Sequence, residues 1–177
     1  TENDEIIECK ARGKFRKEHI IPIIGDDVEI EVKNGKGTIS EIYPRKNSLI
    51  RPAVANIDMV IVVVAAKSPD PASYVIDKML VNAEINNIEA MVCINKTDLA
   101  EYEELKSIYE KAGYKTVAVS GETKEGINEL KAIIKNKTTA FAGVSGVGKS
   151  TILSHIIGSA LETGAISDKI SRGRHTT

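Results

Sequence analysis

Apolar and charged residues alternate near the start of the chain and run together further on. Val28, Ile30 and Val32 alternate with Glu29, Glu31 and Lys33, the period-two pattern of a half-buried strand. Asn34-Gly35 then supplies a turn, and residues 38–43 can return as a second strand. With residues 6–15 as another extended piece, the opening of the chain reads as short, all-β and turn-rich. A small barrel is the expectation, since closure removes exposed sheet edges. Pro44 and Pro52 punctuate its exit, and we divide the chain near Ala55, into residues 1–55 and 56–177.

Beyond that point the rhythm becomes strand then helix. Residues 59–65 form a continuous β-branched run, the mark of a strand buried on both faces. Ser68-Pro69-Asp70-Pro71 breaks it and offers helix-start chemistry. Val75, Ile76, Met79, Leu80 and Ala83 then share one helical face. Further strands are expected over 90–94, 116–119 and 138–142, and helices over 101–112, 127–134 and 149–157, with Gly113 stopping the first of these. The alternation predicts an α/β domain, a mainly parallel sheet covered by helices on both faces.

Composition narrows the function classes. The 177 residues are 42% hydrophobic and 28% charged, as in an ordinary globular protein. A net charge of -1 gives no overall basicity, so any contact with nucleic acid must come from a local patch. Cys9 and Cys93 form no Cys-x-x-Cys pair, which favours free thiols in a reducing cytosol. The longest apolar run, residues 59–66, is too short to cross a bilayer, and the acidic opening is no signal peptide. The expected location is cytoplasmic, with no membrane partner.

The chemistry is concentrated in two loops. Gly143-Val144-Ser145-Gly146-Val147-Gly148-Lys149-Ser150 fits the phosphate-loop pattern G-x-x-x-x-G-K-[ST]. Its glycines let backbone amides curl around phosphate oxygens, and the following helix, which opens with Lys149, Ser150 and Thr151, presents its positive end to the same anion. Lys149 would reach the terminal phosphates and the Ser150 hydroxyl would bind Mg2+. The context fits, because an apolar strand precedes the loop and an apolar-periodic helix follows it.

Asn95-Lys96-Thr97-Asp98 follows another expected strand. The N1 and N2 hydrogens of guanine need an acceptor pair, which the Asp98 carboxylate offers as a bidentate bond. The same carboxylate repels adenine. Asn95 can hold neighbouring backbone, and the Lys96 stem can lie over a base. Ser120-Gly121-Glu122 ends the next strand, where a backbone amide such as that of Gly121 could donate to guanine O6. Ser120 or Thr123 reads equally well as a helix cap.

Together these segments resemble the circularly permuted GTPases of the RsgA/YjeQ family, the small-subunit-dependent GTPases of bacterial ribosomes. The resemblance rests on Asn-Lys-x-Asp, then Ser-Gly-x, then the phosphate loop, then Arg172-Gly173-Arg174-His175-Thr176-Thr177. In ordinary GTPases the phosphate loop comes first. It extends to Cys9-Lys10-Ala11-Arg12-Gly13-Lys14-Phe15-Arg16-Lys17, Gly25-Asp26-Asp27-Val28, Pro44-Arg45-Lys46-Asn47 and Arg51-Pro52-Ala53-Val54-Ala55-Asn56.

The resemblance implies an OB-fold in residues 1–55, its first strand missing, and a permuted P-loop GTPase domain in 56–177. It implies GTP and GDP as ligands, with Mg2+ held by Ser150 and by Thr176 or Thr177 of a switch I segment. His175 would position the attacking water. The implied activity is GTP hydrolysis stimulated by the small (30S) ribosomal subunit during its late assembly, by a monomer contacting 16S rRNA. The family's Asp-x-x-Gly switch II and its zinc-binding domain would lie beyond Thr177. Glu122 stands where relatives often have lysine. His19 and His155 match no motif and read as surface or packing residues.

The five Lys and Arg of residues 10–17, with Phe15 among them, read alone as a solvated charged face. On an OB-fold such a run fits RNA, with the aromatic as a stacking platform. Two other readings stay open: an ATP-dependent phosphotransferase, against which Asp98 argues, and an RNA-binding module that nucleotide gates without turnover.

Overall fold

The computed structural model describes residues 6–17 and 20–158. Its centre is a four-stranded sheet in which every neighbour is parallel. The strands are β6 (Met59–Ala65), β7 (Glu89–Asn95), β8 (Lys115–Ala118) and β9 (Thr139–Ala142), in the spatial order β8-β7-β6-β9. All seven residues of β6 are buried, as a strand covered on both faces requires.

Alternate residues of β6 serve opposite layers. Met59, Ile61, Val63 and Ala65 pack with Ile127 and Leu130 of α4 (Ile127–Ile134) and Ile152 of α5 (Lys149–Ile157). Val62 and Val64 pack with Ile76 and Leu80 of α2 (Ser73–Ile85) and Tyr109 of α3 (Glu103–Lys111). Each buried Val, Ile or Met contributes about 1.5–3 kcal/mol, so a charge at Ile61 would disrupt the α4–α5 layer and one at Val62 the α2–α3 layer.

Two helix starts differ from the sequence expectation. α2 begins at Ser73 with Ala72 at its N-cap and no side-chain cap, because Pro71 keeps Asp70 away from helical backbone. α3 starts at Glu103, and its first turn carries Glu103 and Glu104 against Lys111 in its last, favourable with the helix dipole.

The N-terminal part forms a separate sheet. β2 (Val28–Lys33) pairs antiparallel with β3 (Lys36–Ile42), and β1 (Cys9–Ala11) pairs parallel with β3. Asn34 and Gly35 both have positive φ, 53° and 72°, the signature of a tight hairpin turn. Among the described residues this is a three-stranded sheet, not the closed barrel expected. The extended piece over 6–15 is also shorter than expected. Only Cys9–Ala11 is strand, and Lys14–Lys17 (α1) turns back as helix. That turn buries Phe15 to 4% exposure, so its ring is a packing element and not an open stacking platform.

A short ribbon, β4 (Ser48–Leu49) with β5 (Val54–Ala55), links the two sheets. Leu49 and Ile57 pack with Val60, Ala83, Ala140 and Ala142. On the other side, the Ala55 amide donates to Ile24 O at 2.8 Å and Asn56 Nδ2 to Gly25 O at 2.9 Å. Arg45 grips Asp26 through Nε at 2.6 Å and Nη2 at 3.0 Å. Burial works to raise the Asp26 carboxyl, but Arg45 and the Ile23 amide outweigh it and hold it below the usual carboxylate range.

Candidate nucleotide-binding site

Three loops leave the same, carboxyl end of the parallel sheet. Asn95 ends β7, residues 119–122 follow β8, and Gly143 follows β9. Ligands of open α/β sheets bind outside these carboxyl ends, where the strand order reverses; here the chain passes from β8 at one edge back to β9 beside β6.

The phosphate loop keeps its shape through its glycines. Gly143 has φ 144°, and a Cβ there would lie 2.3 Å from Val63 O; Gly148 has φ 91°, and its Cβ would meet Asn95 Nδ2 at 2.2 Å. Val147 turns inward, 1% exposed, into the core beside Ile152, so only its backbone faces the loop. Lys149 Nζ donates to Gly143 O at 2.7 Å and to Val144 O at 2.9 Å, closing the loop on itself. Burial pulls its pKa below the usual lysine value, and an entering phosphate would replace those two carbonyls with full negative charge.

Asn95 joins all three loops. It is 2% exposed, donates from Nδ2 to Val147 O at 2.8 Å and accepts from the Gly121 amide at Oδ1, 3.0 Å. The Gly121 amide is thus engaged by Asn95 in this structure and does not stand free for a base oxygen. Ser120 departs further from its sequence reading. It is 0% exposed. Its hydroxyl donates to Asp98 Oδ1 at 2.6 Å while accepting from the Thr123 amide at 3.0 Å. One oxygen of Asp98 is therefore fixed, and the exposed carboxylate keeps its other oxygen and lone pairs free. Lys96, with φ 62°, reaches Ser68 O; a non-glycine residue in this region stores strain, as functional loops often do. Thr97 anchors the loop through Oγ1 to Val119 O at 3.1 Å.

These residues enclose a cleft of about 310 Å³, lined by Asn95, Lys96, Asp98, Leu99, Gly121, Glu122, Gly148 and Thr151. His155 was missed. Its Nε2 lies 2.8 Å from Gly121 O, tying α5 to the base loop. Thr151, four residues earlier on the same helix face, also lies against this loop, with its Cγ2 only 3.0 Å from where a Gly121 Cβ would be.

Magnesium needs hard oxygen donors and takes few from protein. Ser150 is exposed in the first turn of α5 and, among the described residues, its hydroxyl has no hydrogen bond. It fits the part. Among the described residues no cluster of His, Cys, Asp or Glu forms a metal site. Residues 172–177, with His175, Thr176 and Thr177, lie outside the described residues, as does His19.

The order of these loops along the chain, base loop before phosphate loop, matches known proteins. The RsgA GTPase family model matches residues 42–177 and the RsgA N-terminal domain model matches residues 1–39. This chain belongs to the RsgA GTPase family. The "Small ribosomal subunit biogenesis GTPase RsgA" of Caldanaerobacter subterraneus subsp. tengcongensis is 52% identical over 97% of the chain and 60% of that protein. The protein of the same name from Alkaliphilus metalliredigens is 48% identical over 99% of the chain and 62% of its own length. The chain thus spans about 60% of the length of these curated relatives.

Among solved structures, YjeQ from Thermotoga maritima superposes with a TM-score of 0.71 at 44% identity, over 86% of this chain and 57% of that one. YloQ, a circularly permuted GTPase, gives 0.67 at 35% identity, over 86% and 56%. The α/β sheet with its phosphate loop is the one expected of an RsgA GTPase, and a separate N-terminal unit precedes it. Among the described residues no helix is long and apolar enough to cross a membrane.

Proposed function

We propose that the chain binds GTP and GDP with Mg2+ and hydrolyses GTP as a cytoplasmic, monomeric factor in maturation of the small (30S) ribosomal subunit. The observation that carries this reading is the Asp98 carboxylate, oriented by Ser120 in a cleft whose far wall is Gly148 of the phosphate loop. A fixed carboxylate beside a phosphate loop selects a base with two adjacent donors, which guanine has and adenine lacks. That argues against an ATP-dependent phosphotransferase.

In this reading Asn95, Lys96, Thr97 and Gly121 shape the base site, residues 143–148 with Lys149 and Thr151 hold the phosphates, and Ser150 takes the metal. His175 would orient the water, and Thr176 or Thr177 would complete the magnesium shell. Residues 1–55 are assigned to 16S rRNA. Lys10, Arg12, Lys14 and Lys17 are exposed there, though Arg12 pairs with Glu31, which leaves the lysines as the freer phosphate contacts. The relatives' shared name supports the ribosomal assignment.

The test is phosphate release from GTP with and without purified small subunits. Stimulated turnover is the expected result. GTP binding without stimulated release would favour the alternative, an RNA-binding module gated by nucleotide.

A further inference from the structure

The ribbon between the sheets carries a cation to the phosphate loop. Leu49, at the end of β4, is 4% exposed and packs in one cluster with Ala140 and Ala142 of β9. β9 runs directly into Gly143, so one strand both seats the ribbon and launches the phosphate loop. Asn47 pins the ribbon's base by exchanging hydrogen bonds with Ile57, 2.8 Å and 3.0 Å. Arg51 follows Leu49 by two positions, in the turn of residues 50–53.

Arg51 lines a cavity of about 590 Å³ together with Gly143, Val144, Ser145 and Lys149. None of the residues lining it is acidic, and among the described residues Arg51 forms no ion pair. Two cations in a space without a carboxylate repel each other until an anion enters.

The two clefts divide the phosphate loop. The base cleft takes Gly148 and, just past the loop, Thr151, and the Arg51 cavity takes Gly143 to Ser145 with the Lys149 side chain that folds back on them. A nucleotide with its base against Asp98 therefore runs its phosphates toward Ser145, and its last phosphate reaches the Arg51 side. We propose that Arg51 binds the terminal phosphate of a nucleoside triphosphate, a contact supplied in cis by the ribbon. This rests on the nucleotide reading above.

A guanidinium suits the task, since its planar fork bonds two phosphate oxygens at once. Charge that gathers on a phosphoryl group in transfer is stabilised by such a group. The ribbon is also hydrogen-bonded to Ile24 and Gly25, so the position of Arg51 is tied to the N-terminal sheet.

The experiment compares binding of GDP and of a β,γ-imido GTP analogue, with Mg2+, to the unmodified protein, Arg51→Ala and Arg51→Lys. Arg51 is exposed on a turn, so neither change should unfold the chain. For Arg51→Ala, GDP affinity should stay within about twofold while the analogue loses about ten- to hundredfold. Arg51→Lys should recover part of that loss, because it keeps charge without the fork. Equal losses for both ligands would mean the turn merely supports the loop and would overturn the proposal, as would an unchanged analogue affinity. Absence of GDP binding to the unmodified protein would overturn the nucleotide reading, and this contact with it.

Discussion

Replacing Asn95 with alanine tests whether the three loops act as one unit. The side chain is 2% exposed and makes two hydrogen bonds, to Val147 O and from the Gly121 amide. Asn95→Ala leaves both backbone groups without that partner, and each buried polar group so stranded costs about 1–3 kcal/mol. Taking the lower half of that range for each gives about 3 kcal/mol in all, or about 150-fold if it fell wholly on binding. The ligand-free loops can part and recover some of this, so the loss divides between stability and affinity. Titration calorimetry should show GDP bound ten- to hundredfold more weakly, on the order set by that total. The remainder should appear as a lower thermal midpoint, about 2–4 °C for each kcal/mol in a chain of this size. Preference for guanine over xanthine should not change, because Asp98 is untouched. GDP affinity within twofold of the parent, with an unchanged midpoint, would refute the coupling.

Ser120→Ala should reduce GDP affinity about tenfold by freeing Asp98, the loss of one charge-assisted hydrogen bond, and a competition assay should show ADP still excluded. Lys149→Met should abolish nucleotide binding while leaving the fold intact in circular dichroism. Burial lowers the Lys149 pKa, so the unfolded chain holds that proton more tightly; the unmodified protein should therefore gain stability as pH rises toward the ordinary lysine value, and thermal melts of the methionine variant should lack that rise. Replacing Lys10, Lys14 and Lys17 with alanine should weaken small-subunit association and flatten its salt dependence, by about two to three in log-log slope, with GDP affinity unchanged.

The parallel sheet was legible because its signals are local. A seven-residue apolar run, β-branched from Val60 to Val64, announces β6, and glycines at fixed spacing announce the phosphate loop. Helices α4 and α5 start and stop where apolar periodicity does. What the sequence could not show was which polar groups satisfy one another. Ser120 and Asp98 lie 22 positions apart, Asn95 and Val147 lie 52 apart, and no pattern along the chain couples them. Ser120 does make the cap-type bond its sequence allows, to the Thr123 amide, but its bond to Asp98 is invisible along the chain, and the Gly121 amide reads as free when it is held. The N-terminal sheet was least legible: Phe15 sits in a basic run that reads as one exposed face, yet it turns inward and bends the chain into α1.

The central claim is that Asp98 makes this cleft a guanine site. The most direct measurement is equilibrium binding of GDP, ADP and XDP to the unmodified protein and to Asp98→Asn. An amide at position 98 offers a donor where the carboxylate offered only acceptors, which suits the C2 oxygen of xanthine. The unmodified protein should bind GDP and reject ADP and XDP, while Asp98→Asn should lose GDP and gain XDP. Comparable GDP affinity in the two proteins, or equal binding of ADP and GDP by the unmodified one, would contradict it.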